Sequence, residues 1–226
     1  MNTSDLIVLT SFVLVLIALF TSFMKHKLGR GKIVSSNLIA LSFGILFLGF
    51  GLKDTILMKS LISGIIAGSL LQPLLADTYL TKKTLSYKNE GWRFLKTPWW
   101  MALLWGIAVT QLIYLFLRVE KIAFTAWLKY PLLAVIGSTY FYVFELFVNN
   151  LAFWWQRRNC WQPFGVALYA TFSEIAAVGI LLSFCIILIK ASLVWKWVIF
   201  ISIQEGILIA IVFRIFCYVF YKKEGT

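Results

Sequence analysis

The stretch FYVFELFVNNLAFWWQRRNCWQPFGVALYATFSE, residues 141–174, decides how this chain folds. It is an apolar run, a short loop dense in tryptophan and arginine, and a second apolar run. Each run carries one glutamate, Glu145 or Glu174. The short loop makes the two runs antiparallel neighbours. Apolar segments of this length are candidates to cross a membrane as helices.

The same pattern extends in both directions. Of the 226 residues, 61% are hydrophobic and 13% charged, whereas a soluble domain is closer to half apolar and a quarter charged. Seven spans are predicted, at 6–24, 33–52, 56–76, 98–117, 128–148, 164–189 and 197–221. The expectation is an all-α polytopic membrane protein, a seven-transmembrane-helix bundle, with residues 1–226 forming a single integral-membrane domain. The first run has only Asp5 ahead of it, exceeds the length of a signal-peptide core and lacks a small-residue cleavage site, so it reads as a retained helix.

Lysine and arginine sit at the ends of the runs. Thirteen fall in KHKLGRGK (25–32), in 77–96, in the Arg157–Arg158 loop and in the tail, all on one side of the predicted bundle. Seven fall on the other, and Arg214 lies inside the last span. The positive-inside rule then puts the amino terminus outside and the carboxyl terminus in the cytoplasm. The net charge of +12 is accounted for by this clustering, and no nucleic-acid partner is expected. The expected surroundings are a lipid bilayer, either a bacterial inner membrane or a thylakoid-type one. The sequence leaves the oligomeric state open.

Much chemistry is excluded. Three cysteines form no CxxC pair, and the single histidine, His26, sits in a basic loop. Neither a zinc nor a haem site is expected. No glycine-rich phosphate loop, dinucleotide fingerprint or HExxH occurs. The last span has no central lysine for a retinal-type Schiff base, since Lys196 is at its edge. No cofactor and no metal are expected.

The acids inside the spans carry the remaining signal. Glu145, Glu174 and Glu205 lie within predicted spans, and Asp77 lies at the end of one. A charge at the centre of a bilayer costs about 2.5–3.5 kcal/mol on insertion scales, so such residues turn inward. Ser138, Tyr142, Glu145 and Asn149 recur at three- and four-residue steps and share a helical face. Ala167, Ala170, Thr171, Glu174, Ala177 and Val178 form a face of mostly small side chains. A polar stripe beside a small-residue stripe can leave a cavity with both glutamates on its wall. Arg214 needs an anionic partner, with Glu145, Glu174 or Asp77 as the candidates. A paired carboxyl would be ionised and an unpaired one protonated, which is the contrast acid catalysis uses. Separately, Gly64 and Gly68 form a GxxxG face for close helix packing.

Two stretches, KTPWWMALLWGIAV (96–109) and FELFVNNLAFWWQRRNCWQPFGVALYATFSE (144–174), resemble motifs of uncharacterised bacterial multi-span membrane proteins. The layout is distantly similar to membrane-embedded isoprenoid enzymes, the carotenoid and terpene cyclases and hydratases. That resemblance implies Glu145 and Glu174 as catalytic acids. It implies Trp105, Trp154 and Trp155 as an aromatic wall for a carbocation. Gln156 stands where the resemblance has tyrosine. Tyr142, Asn149 and Arg214 complete the expected substrate-binding set. The expected function is an intramembrane enzyme that protonates an apolar isoprenoid or lipid. A small-solute or proton-coupled transporter and a non-catalytic scaffold or assembly factor are the alternatives.

Overall fold

The computed structural model describes residues 2–28, 35–51, 55–68, 84–87, 93–94, 97–122, 125–152, 154–191 and 194–221. Seven α-helices occur among them: α1 (Thr3–Leu28), α2 (Ser35–Phe50), α3 (Thr55–Ile66), α4 (Trp100–Glu120), α5 (Ala126–Phe147), α6 (Leu168–Ala191) and α7 (Trp195–Val219). Each grows from one of the apolar runs. Four stretches are long and apolar enough to cross a membrane: Thr3–Lys25, Trp100–Glu120, Leu128–Ala152 and Trp195–Val219. The apolar stretches of α2, α3 and α6, as described, are shorter. The predicted third span ran to residue 76, and its last part lies outside the described residues, as do Asp77 and the basic segments 30–32 and 222–223.

The helices pack as neighbours in pairs, α1 on α2, α3 on α4, α5 on α6 and α6 on α7, with α2 also against α4 and α3 against α7. The seam between α3 and α4 is tight. A Cβ built on Gly64 would stand 2.8 Å from the Cα of Gly106, and one on Gly68 would collide with the Trp105 side chain. The GxxxG face therefore packs where small residues are needed, and it seats Trp105. α1 and α2 are tied by hydroxyls, with Ser11 and Ser42 at 2.9 Å and Ser22 bonded to Ser35.

Four short strands lie beside the helices. β2 (Arg93–Phe94) and β3 (Thr97–Pro98) make a tight antiparallel pair just before α4. β1 (Leu85–Tyr87) pairs antiparallel with β4 (Trp155–Arg157), in the register Leu85↔Arg157, Ser86↔Gln156 and Tyr87↔Trp155. This second pair joins segments seventy residues apart and closes one end of the space between α4, α5 and α6. Between α5 and β4 the chain makes a wide π-type turn, Val148–Ala152, a feature that recurs at functional sites.

Candidate functional site

A cavity of about 60 Å³ lies between α4, α5, α6, α7 and the β1–β4 pair. α5 contributes Phe141, Phe144 and Glu145, which the spacing of three and four residues puts on one face. α4 contributes Trp105, and α6 contributes Glu174. Strand alternation does the rest. Successive side chains of a strand point to opposite faces, so Trp155 and Arg157 of β4 both reach the chamber while Gln156 is not among its walls. Tyr87, opposite Trp155 in register, meets it edge to face at 6.2 Å.

Glu145 is 1% exposed and fully engaged. Arg157 Nε donates to its Oε1 at 2.7 Å, and Trp155 Nε1 donates to its Oε2 at 3.0 Å. Arg157 also donates from an Nη nitrogen to the Tyr169 hydroxyl at 2.7 Å, and its guanidinium lies over the Tyr169 and Trp155 rings. Burial works to lower the arginine's proton affinity, but the Glu145 carboxylate together with the Tyr169 and Tyr87 hydroxyls outweighs it, and Arg157 is held well above its ordinary value. The pair is a buried, hydrogen-bonded ion pair, the geometry in which an interior charge is tolerated.

Glu174 is different. It is 8% exposed, and its Oε2 has no hydrogen-bond partner among the described residues. A bare carboxylate in an apolar chamber would be an uncompensated buried charge. One chamber thus contains an acid held by a cation and an acid with one unpartnered oxygen.

The other expected site residues separate. Trp105 and Trp155 line the chamber. Trp154 does not. It is buried behind the wall, donates its indole N–H to Ser22 Oγ at 2.7 Å and stacks edge to face on Trp100 and Phe144. Asn149 donates to the Gly165 carbonyl and fixes the loop that leads into α6. Tyr142 is half-buried and away from the chamber walls. Arg214 is exposed on the outer face of α7, which corrects the expectation that it supplies the buried cation. The buried face of that helix is Glu205, Gly206, Ile209, Ala210, Phe213 and Cys217, and Arg214 is one residue off it. Arg157, read in the sequence only as a loop charge, takes that role. The alternation Trp155-Gln156-Arg157 that aims it inward spans only three residues, too few to be read from sequence.

Glu205 lies apart from the chamber, at the seam of α3 and α7. Ser63 Oγ donates to its Oε2 at 3.1 Å, and Ser202 Oγ donates to Ser63 at 2.8 Å. No group of three or more histidine, cysteine or acidic side chains that could hold a metal occurs among the described residues.

The fold and the chamber define a class: an apolar helical bundle enclosing a small aromatic cavity that carries two acids and one arginine. The chain belongs to the family described as a domain of unknown function (DUF6989), which matches residues 74–222. All the chamber's wall residues fall inside that segment, and α1, α2 and α3 fall outside it. No curated protein and no solved structure matches the chain.

Proposed function

We propose that the protein is an intramembrane enzyme that protonates a carbon–carbon double bond of an apolar isoprenoid or lipid substrate. The observation that carries this reading is the contrast inside one chamber. Glu145 has both oxygens engaged by Arg157 and Trp155, and Glu174 has a bare buried oxygen. Glu174 is the general acid. Its O–H bond breaks, the π electrons of the alkene form the new C–H bond, and the adjacent carbon becomes cationic. The Trp105, Trp155, Phe141 and Phe144 rings supply the electron-rich faces that stabilise a cation. The Glu145–Arg157 pair fixes the field of the site and adds no net charge to it. Loss of a proton from a neighbouring carbon ends the cation and leaves a shifted double bond, and that proton restores Glu174 to its acid form. The cycle is then balanced without a further reactant.

In this reading the seven helices are seven spans of a bacterial inner membrane or thylakoid-type membrane. The amino terminus is outside and the carboxyl terminus in the cytoplasm. The distribution of Lys and Arg supports it, thirteen against seven.

The test is expression in a bacterial host that makes linear polyprenyl precursors, followed by mass spectrometry of lipid extracts. A product specific to the wild type should vanish with Glu174→Gln. It should fall about a hundredfold with Glu145→Gln, the scale of losing one preorganised electrostatic group. Extracts indistinguishable between wild type and Glu174→Gln would end the enzyme reading. The Glu145–Arg157 ion pair then favours the second reading, a scaffold in which the acids are struts.

A further inference from the structure

The chamber is too small for the substrate just proposed. Its volume is about 60 Å³, whereas a cavity of about 150 Å³ is what accommodates a single benzene. The bulk of an apolar substrate must rest elsewhere. Beside the chamber, between α1, α4 and α5, lies a second cavity of about 500 Å³, a size typical of ligand sites. Phe144 belongs to the walls of both. Its ring packs against Trp154 at 6.2 Å and Trp155 at 6.4 Å.

The chemistry of the groove restricts its occupant. Phe12, Leu19 and Phe147 are among its apolar walls. Its buried polar groups are already engaged with one another. Tyr140 donates to Gln111 Oε1 at 2.7 Å, and Gln111 Nε2 donates to Ser11 Oγ at 3.0 Å. No headgroup is called for. Leu16 and Val143, 61% and 41% exposed, flank an opening on the side of the bundle, so entry is lateral.

We infer that the groove holds the tail of a flexible, unsaturated hydrocarbon chain, which passes Phe144 to set one double bond against Glu174. This rests on the acid-catalysed reading above and narrows it: the substrate is a linear chain, not a preformed polycycle. Phe144 lines both spaces, so its ring touches the chain where it passes from one to the other.

The experiment uses the full chain in lipid nanodiscs and two photoreactive probes, each with a diazirine at its far end. One is a twenty-carbon polyprenyl alcohol and the other an eighteen-carbon monounsaturated alcohol. Cross-links should concentrate on the α1 and α5 residues that line the groove, and an unlabelled chain should compete them away. Thr139→Trp, which fills the groove from α5, should reduce labelling at least tenfold. Leu208→Trp, on the exposed face of α7, should not, and the two variants should melt alike. Labelling by the polyprenyl probe supports the inference, whereas labelling by the acyl probe alone would mean that ordinary bilayer chains fill the groove and would overturn it. Labelling spread evenly over the exposed helices and indifferent to Thr139→Trp overturns the inference. Glu174→Gln should bind the probes like wild type, so binding retained without any product change would sink the catalytic reading and leave the groove standing.

Discussion

Glu145 and Glu205 are buried alike, 1% and 3% exposed, yet they occupy different kinds of place. Around Glu145 are a guanidinium, an indole N–H and a cavity. Glu205 has the Ser63 hydroxyl on one oxygen, itself bonded by Ser202, and no hydrogen-bond partner among the described residues on the other; it sits at a helix seam, away from both cavities described above. Burial of an acid is therefore not what marks the candidate site. A cavity, a permanent cation and a second acid with an unused oxygen mark it, and among the described residues the chamber brings all three together.

The comparison can be broken by substitution. The largest effect is expected from Arg157→Leu, which strands a buried carboxylate. The cost should be about 3–5 kcal/mol, and Arg157→Leu combined with Glu145→Leu should recover most of it, since an apolar pair of similar size can replace a buried ion pair. Thermal melting in detergent reads both, and a single variant that melts like wild type would show that the pair is not formed. Next is Gly64→Ala, whose methyl would press on Gly106 and the Trp105 carbonyl. Overpacking of this kind costs about 1–3 kcal/mol, and unchanged melting would mean that α3 and α4 are less closely seated. Ser63→Ala should cost only about 1 kcal/mol, the net worth of a typical hydrogen bond. Glu205→Gln should leave any lipid product intact, and loss of product would move the site to the α3–α7 seam. The smallest effect concerns Cys160, in the loop between β4 and α6. Burial pushes its thiol up to about 11, against a smaller opposing pull from Arg157. Maleimide at pH 8 should leave Cys160 unlabelled in the folded protein and label it after denaturation, as peptide mass spectrometry would record.

The helices were largely legible because apolar runs decide them. The predicted 98–117, 128–148 and 197–221 became Trp100–Glu120, Ala126–Phe147 and Trp195–Val219. The shared chamber was partly legible too, since the three- and four-residue steps around Glu145 and the small face around Glu174 locate a seam. The cation was not. Arg157 reaches Glu145 only because three residues of β4 pair with three residues of β1 far back in the chain, and so short a strand carries almost no periodic signal. Trp154 and Trp155 look alike in sequence, but alternation sends one to Ser22 and the other to Glu145. Arg214 could have been read better. The buried positions of α7 recur at helical spacing without it.

The most direct measurement is infrared difference spectroscopy of the protonated-carboxyl stretch, on protein in lipid at neutral pH. If Glu174 carries the exchangeable proton, Glu174→Gln should remove a band that Glu145→Gln leaves in place. A band lost with Glu145→Gln and kept with Glu174→Gln would reverse the two roles and contradict the assignment.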